Sequence, residues 1–106
     1  MTLAEFQQQV VAVALASPIC GIPVVCRLSA TSINLRVEIT TGDFVDIFYN
    51  EQTGTTAFAL IRASQRIFGA DNTGGWHWHP FANPEQHALL ASEMSFAEFV
   101  AEIERH

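Results

Sequence analysis

The first helix is predicted from apolar positions that recur every three or four residues near the start of the chain. The segment 2–5, Thr-Leu-Ala-Glu, is a capping-box pattern, in which a hydroxyl and a carboxylate satisfy free backbone amides. Pro18 and Gly21 follow the last apolar position and predict that the helix ends near Ser17. The apolar positions are Leu3, Phe6, Val10 and Val13.

Two more helices are predicted toward the C-terminus. The segment 83–86, Asn-Pro-Glu-Gln, offers an N-cap, a proline at the first helical position and a glutamine at the third. The segment 95–98, Ser-Phe-Ala-Glu, repeats the capping box of the first helix. One face of the last helix then carries the apolar residues Phe96, Phe99, Val100 and Ile103.

Between the helices the apolar period drops to two, which predicts β-strands. Segments 35–40 and 44–49 alternate apolar and polar residues, so they predict a hairpin with the three-residue loop 41–43. This register sets Ile39 opposite Val45 and keeps one face of the hairpin wholly apolar. Further strands are predicted at 24–28, at 56–62 and at about 66–70.

These elements predict an α+β fold with an N-terminal helix, an antiparallel β-meander of four to five strands and two C-terminal helices. Residues 1–106 are expected to form a single domain, since domains of about 100–150 residues are the commonest. One sheet face should pack on the helices, and the other should carry charged residues among Phe44 and Phe48.

Composition and charge exclude several classes of protein. The longest apolar run, 10–16, is far shorter than the roughly 20 residues of a membrane span. We expect no secretory signal, because residues 1–5 include no basic residue. Eleven acidic residues against five arginines and no lysine give a net charge of −6, which disfavours a broad nucleic-acid surface and favours a basic protein partner. We expect a cytoplasmic protein with reduced cysteines, of which Cys26 is a small core residue.

Chemically versatile side chains concentrate between residues 71 and 87, where three of the four histidines lie with both tryptophans. If this stretch is extended, His77 and His79 project to one side, and Trp76 and Trp78 project to the other. The stretch is therefore the candidate functional segment of the chain.

Three interpretations of this segment stay open. The first is acid–base chemistry, in which an imidazole moves a proton and Asp71 orients the ring. The second is a metal site, since two histidines spaced by one residue, a third histidine and a carboxylate suffice for zinc or another divalent ion. The third is structural: the tryptophans bury area and the histidines bond to backbone carbonyls.

Arginines near this segment are candidates for binding a phosphate, because a guanidinium pairs with phosphate in a bidentate fashion. Arg62 and Arg66 lie just upstream, and Arg36 projects from the predicted hairpin. The alternative for Arg36 is a surface ion pair with Glu38 or Asp46, worth less than about 1 kcal/mol.

A short motif consists of Arg62, Arg66, Asp71-Asn72, His77-Trp78-His79-Pro80 and His87. It resembles the Arg-x-Asp-Asn…His…Pro-His signature of the TumE-type proteins, which are small toxins of prokaryotic toxin–antitoxin loci. The segment 35–49 is also similar to their arginine-containing hairpin, so the resemblance covers about half of the chain. The resemblance implies a helix-turn-helix antitoxin as partner and an activity directed at RNA. The chain departs from the expected pattern in having a spaced His-Trp-His in place of a histidine pair. The matching positions are Arg36, Asp71, Asn72, His77, His79 and His87.

The lead hypothesis is a toxin-like, metal-independent endoribonuclease that needs no cofactor. In it, His77 and His79 share the acid and base roles, Asp71 orients one imidazole, and Arg36 contacts the phosphate. One tryptophan is expected to stack a base. The candidate substrate-binding residues are Arg66, Asn72, Trp76, Trp78 and His87.

Two other functions remain open. One is a non-catalytic interaction module whose acidic surface docks a basic protein, and the other is a small domain that binds a metal or another ligand at its histidines. The expected partners are the antitoxin and RNA, no membrane is expected, and a homo-oligomer is compatible with the sequence.

Overall fold

The computed structural model describes residues 1–81, 83, 85–90 and 92–106. Among these residues, seven strands form one antiparallel sheet in chain order, and two helices are present. The α+β class is confirmed, with more strands and one helix fewer than predicted. The helices are α1 (Leu3–Ala16) and α2 (Phe96–Glu104). The strands are β1 (Val24–Leu28), β2 (Ser32–Glu38), β3 (Phe44–Asn50), β4 (Thr56–Arg62), β5 (Gln65–Asp71), β6 (His77–His79) and β7 (Ala88–Leu89).

Both helices begin with the capping boxes that the sequence predicts. The Thr2 hydroxyl accepts from the Glu5 amide at 3.1 Å, and the Glu5 carboxylate accepts from the Thr2 amide at 2.8 Å. Ser95 and Glu98 repeat this exchange, with both distances at 3.1 Å. Each box satisfies two amides that the helix itself leaves unpaired. Neither helix in the described part of the chain is long and apolar enough to cross a membrane.

The prediction of a helix that begins at Asn83 is wrong, because the described residues of that segment are not helical. Pro84, its predicted first helical residue, lies outside the described residues. Residues 85–90 contain β7, and the Leu90 amide donates to the Trp76 carbonyl at 3.1 Å. Only eight residues separate Gln86 from the Ser95 cap, too few for a marginal helix to compete with pairing to the open edge of β6.

The hairpin of β2 and β3 keeps the predicted apolar face but not the predicted register. Val37 pairs with Val45, and the Ile39 amide donates to the Asp43 carbonyl, so the loop is 40–42. Gly42 explains the difference, because its φ of 95° supplies the left-handed residue that ends a common three-residue loop. The register moves by two residues, and a shift of two leaves every side chain on the same face.

The core lies between the sheet and the two helices. Phe6 of α1 stacks on Tyr49 at a centroid distance of 4.5 Å, and both rings are buried. Phe99 of α2 packs on Phe58 at 5.3 Å and on Phe68 at 4.8 Å. Because Phe68 is fully buried, its replacement by alanine should cost about 3–5 kcal/mol.

Strand β1 lies at the edge of the sheet, and all five of its residues are exposed. Its pairing with β2 shifts by one residue between Val25 and Arg27, which makes Cys26 the extra residue of a β-bulge. The prediction of Cys26 as a core residue is wrong, because the residue is exposed and does not belong to the hydrophobic core.

The sheet face opposite the helices, which we call the open face, carries polar and aromatic side chains, as predicted. The Asn34 amide donates to Asp46 at 3.1 Å, and the Arg36 guanidinium lies 3.9 Å above the Phe44 ring. Strand alternation assigns the side chains of β4–β6 to the two faces in the same way. The open-face residues of those three strands include Ala57, Ala59, Gly69, Asp71, His77 and His79.

Candidate functional site

The pairing of β5 with β6 brings a carboxylate beside two imidazoles. Asp71 pairs with His77, and Gly69 pairs with His79. The turn between the strands uses Gly74 and Gly75, whose φ angles of 73° and 107° suit glycine, and it returns the chain directly onto β5. The sequence expectation that His77 and His79 share one side of an extended stretch agrees with this pairing.

The carboxylate of Asp71 contacts both rings. Its Oδ1 lies 3.2 Å from Nε2 of His77, and its Oδ2 lies 3.5 Å from Nε2 of His79. The Thr73 amide donates to Oδ1 at 3.1 Å, which fixes the carboxylate against the turn. Nδ1 of His77 lies 3.0 Å from the Gly75 carbonyl oxygen. A neutral imidazole has one N–H, so His77 can donate to only one of these two acceptors at a time.

His79 has an unusual environment for a polar ring. Only 2% of the residue is exposed, and no described residue hydrogen-bonds its Nδ1. Its Cδ2 edge faces Gly69, so Nδ1, on the other edge of the ring, points away from β5. Because Nε2 faces the Asp71 carboxylate, the neutral ring carries its proton there and leaves a lone pair on Nδ1.

The surroundings of His79 disfavour its protonated form. Burial is the largest influence that lowers the pKa of His79 below its ordinary 6.5, and the charges of Arg66 and His87 lower it further. Asp71 raises the pKa of His79 but offsets only part of these effects. A buried neutral imidazole whose lone pair has no hydrogen-bond partner is suited to coordinate a metal ion or to accept a proton.

His87, which precedes β7, completes a group of three imidazoles that we call the histidine cluster (His77, His79 and His87). The centroid of the His87 ring lies 4.4 Å from that of His79 and 5.1 Å from that of His77. One ring nitrogen from each residue lies within 4.8 Å of the other two. The pairing of β7 with β6 creates this proximity, which helical spacing after Asn83 would not have produced.

The histidine cluster has the donor set of a metal site but is slightly too open. Nitrogens around a tetrahedral ion at about 2.0–2.1 Å lie about 3.4 Å apart. The rings must therefore close by up to about 1.4 Å from their separation of at most 4.8 Å. His87 is exposed and can supply this movement by a change of rotamer.

A second β-bulge places Arg66 next to the histidine cluster. Leu60 pairs with Phe68 but Ile61 pairs with Arg66, so Ile67 is the extra residue on β5. Without it, Arg66 would share the core face with Phe68; with it, Arg66 lies on the open face. The sequence singled out Arg66, but the bulge that turns it toward His79 has no clear signal in the sequence.

Arg36, predicted as a phosphate contact, is not brought to the histidine cluster. It lies on β2, four strands from β6, which at about 4.8 Å per strand is about 19 Å along the sheet. Five of the nine predicted site residues lie close together: Asp71, His77, His79 and His87, with Arg66 beside them.

Three predicted substrate-binding residues also lie away from the imidazoles. Trp78 packs edge-on against Phe68 at 5.9 Å, and Trp76 packs against the core, so both indoles are on the helix side of the sheet. The Asn72 side chain accepts from the Thr56 amide at 2.8 Å and donates to the Gly54 carbonyl at 2.9 Å. Asn72 therefore ties the β3–β4 turn to the end of β5.

Gly69 is a site residue that the sequence analysis missed. A Cβ built on it would lie 2.9 Å from Cδ of Arg66 and 3.5 Å from Cδ2 of His79. The absent side chain therefore leaves room for both neighbours. A single glycine inside a strand pattern is a signal of such close approach, and Gly69 within β5 fits it.

No family model, curated protein or solved structure matches this chain. The resemblance to TumE-type toxins therefore stays a prediction. Asp71 and the histidine cluster are the described residues whose contacts indicate a function.

Proposed function

We propose that the histidine cluster binds one divalent transition-metal ion, with Asp71 orienting two of its imidazoles. The observation that carries the proposal is the Nδ1 atom of His79, which is buried, unpartnered among the described residues and directed away from β5. A lone pair held dry in this way costs free energy unless something binds it. The neighbouring imidazoles make a metal ion the simplest occupant.

The surroundings of His79 match those of metal-binding histidines in general. Such rings usually hold a carboxylate or carbonyl on the nitrogen that does not face the metal. Asp71 takes this position on Nε2 of His79, so Nδ1 is the metal-facing atom. Three neutral imidazoles suit zinc, copper, nickel or cobalt, and they leave a fourth position for water or a substrate. For His77 to be the third ligand, its Nδ1 must leave the Gly75 carbonyl oxygen, which lies 3.0 Å away, because its Nε2 faces Asp71.

The burial of His79 also argues for a metal over direct proton transfer. Its Nδ1 has almost no accessible surface, which disfavours direct contact with a substrate proton. An ion needs only the space between the rings. The histidine cluster therefore fits metal binding better than metal-free acid–base chemistry.

Zinc titration of the tag-free chain by calorimetry tests the proposal, with cobalt absorption as a report of tetrahedral geometry. We expect one ion per chain, and loss of binding in His79→Gln and His87→Gln. His106→Gln is the matched control, because His106 is the remaining histidine and stacks on Phe81, outside the cluster. Sub-stoichiometric zinc, or equal loss in the control, would show that the cluster is not a metal site.

A second candidate function is RNA-directed phosphodiester cleavage by a toxin-like protein with an antitoxin partner. Arg66 favours it, because its Cδ and the His79 ring lie over the same glycine, Gly69, and a guanidinium near imidazoles suits a phosphate. Growth arrest on expression, lost in Arg66→Gln and His79→Gln but kept in His106→Gln, is the expected result. An unaffected culture, or arrest that survives both substitutions, would remove this candidate.

A further inference from the structure

We propose that a cavity between α1, the sheet and the start of α2 binds a small methylated ammonium ion, with its methyl groups against aromatic rings and its charge near Glu93. This inference does not depend on the proposed metal centre. Trp76, which lines the cavity, packs on the helix side of the sheet, whereas the histidine cluster lies on the open face. The two sites are therefore separate.

The cavity has a buried floor and an exposed rim. Its volume is about 110 Å³. A cavity of about 150 Å³ holds benzene, so this one has room for about four or five non-hydrogen atoms, which is the size of a trimethylammonium group. Protein interiors contain few voids larger than a water molecule, so a cavity of this size that opens to solvent is a candidate binding site.

Five aromatic rings from five different parts of the chain line the cavity. Four of them are buried, and that of Trp76 is half-buried. The face of an aromatic ring attracts a cation that lies within about 6 Å, and an indole attracts it most strongly. A methylated ammonium ion also has an apolar surface, so it needs no hydrogen-bond acceptors from the rings. The five residues are Phe6, Tyr49, Phe58, Trp76 and Phe96.

The two hydroxyl groups deeper in the lining offer lone pairs rather than protons. The Tyr49 hydroxyl donates to the Met1 carbonyl at 2.6 Å, and the Thr56 hydroxyl donates to the Gly54 carbonyl at 3.1 Å. A hydroxyl has one proton, so each of these oxygens can only accept from a ligand. An anion would meet these lone pairs without a donor, and the lining therefore favours a cation.

Among the described residues that line the cavity, Glu93 is the one with an acidic side chain. It is exposed, and it forms no hydrogen bond or ion pair with another described residue. Different carboxylates lie next to the positive N-terminus. Glu5 accepts from the Thr2 amide at 2.8 Å, and Glu51 accepts from the Leu3 amide at 3.3 Å. Glu93 is therefore available to the ligand, and the net charge of −6 also attracts a cation.

Calorimetry with matched ligands tests the inference. Choline and 3,3-dimethylbutan-1-ol have the same shape, but choline carries a positive nitrogen where the alcohol has a neutral carbon. Choline should bind about tenfold more tightly than the alcohol. Glycine betaine, whose carboxylate would lie near Glu93, should bind more weakly than choline. A metal chelator should leave all three affinities unchanged, because the cavity requires no metal.

Substitutions at the cavity separate the contributions of charge and of aromatic contact. Glu93→Gln should weaken choline binding about fivefold and leave the alcohol unchanged. Glu38→Gln is the matched control, because Glu38 is an exposed carboxylate on β2 outside the cavity, and it should bind choline as the parent does. Trp76→Leu should remove the preference for choline over the alcohol, with circular dichroism as the check on the fold.

Three results would overturn the inference. Equal affinities for choline and the alcohol would show that the cavity takes apolar groups without regard to charge. No binding of choline at millimolar concentration would show that the cavity is not a site for this ion. Choline binding that is as tight in both Glu93→Gln and Trp76→Leu as in the parent would place the ion elsewhere on the chain.

Discussion

Oδ2 of Asp71 lies 3.5 Å from Nε2 of His79, across the boundary between two adjacent strands. This contact assigns the imidazole proton to the nitrogen next to the carboxylate and leaves the other nitrogen for a ligand. The two residues lie eight positions apart in the sequence, and antiparallel pairing places them two residues apart in register, on the same face of the sheet.

The first prediction concerns Asp71→Asn. An amide cannot hold the His79 proton as a carboxylate does, so zinc affinity should fall about 10–100-fold without loss of the fold. Calorimetric titration measures the affinity, and circular dichroism checks the fold. The control is Asp46→Asn on the same face, which should bind zinc as the parent does. Equal affinities for Asp71→Asn and the parent would mean that Asp71 does not orient a ligand.

The second prediction is that metal raises thermal stability. At a free zinc concentration 100 times the Kd, binding to the native state stabilises it by about 2.7 kcal/mol, which for a chain of this size is a rise in Tm of about 10 °C. Differential scanning fluorimetry with and without a chelator measures it. His87→Gln should show no rise with zinc, and a rise of the same size in that variant would place the ion elsewhere.

Capping boxes and alternation predicted most of the fold, because both depend on neighbours in sequence. Thr2 and Ser95 mark the helix starts, and the alternation in β2 and β3 names the buried face. The register of the β2–β3 hairpin depended on the φ angle of Gly42. The strand at Ala88–Leu89, in place of the predicted helix, depended on pairing with the edge of β6. Local sequence patterns do not show which of two hairpin registers, or which of a helix and a strand, is more stable.

The composition of the candidate site could be predicted, but its geometry could not. The grouping of His77, His79 and Asp71 is visible because they lie close in sequence and on one side of a hairpin. The exclusion of Arg36 depends on strand order, and the inclusion of Arg66 depends on a bulge. The strand order and the bulge are features of the tertiary structure, which the types and spacing of the residues in the sequence do not determine.

The third prediction concerns Asp43, whose buried carboxylate accepts from Arg62 at 2.8 and 3.1 Å. The hydrogen bonds from Arg62 are the main cause that holds the pKa of Asp43 below its ordinary 3.8. A lowered native pKa adds stability that is complete above the unfolded value and declines as the pH falls through 3.8 toward the native value.

Urea denaturation of the parent and of Asp43→Asn should therefore differ most near neutral pH, by about 1 kcal/mol for the lost hydrogen bonds, and converge in acid. Arg62→Gln is the matched variant, because it removes the cause of the shift and leaves the carboxylate. If Asp43→Asn differs from the parent by the same amount at every pH, the ion pair does not lower the pKa of Asp43.

The last prediction uses the tight turn between β4 and β5, where Ala63 and Ser64 adopt φ angles of 49° and 66°. Non-glycine residues in this left-handed region cost about 1–2 kcal/mol each, and two-residue hairpin loops of this kind favour Asn-Gly. Ser64→Gly should therefore raise the free energy of unfolding by about 0.5–1 kcal/mol, after the extra entropy of glycine in the unfolded chain is subtracted.

Gly54→Ala is the control, and its effect should have the opposite sign. The φ of Gly54 is 74° and a Cβ there would meet open space, so the substitution changes only the backbone strain. Urea denaturation should show that the free energy of unfolding falls by about 1 kcal/mol. Stabilisation by both substitutions, or by neither, would contradict the strain in the β4–β5 turn.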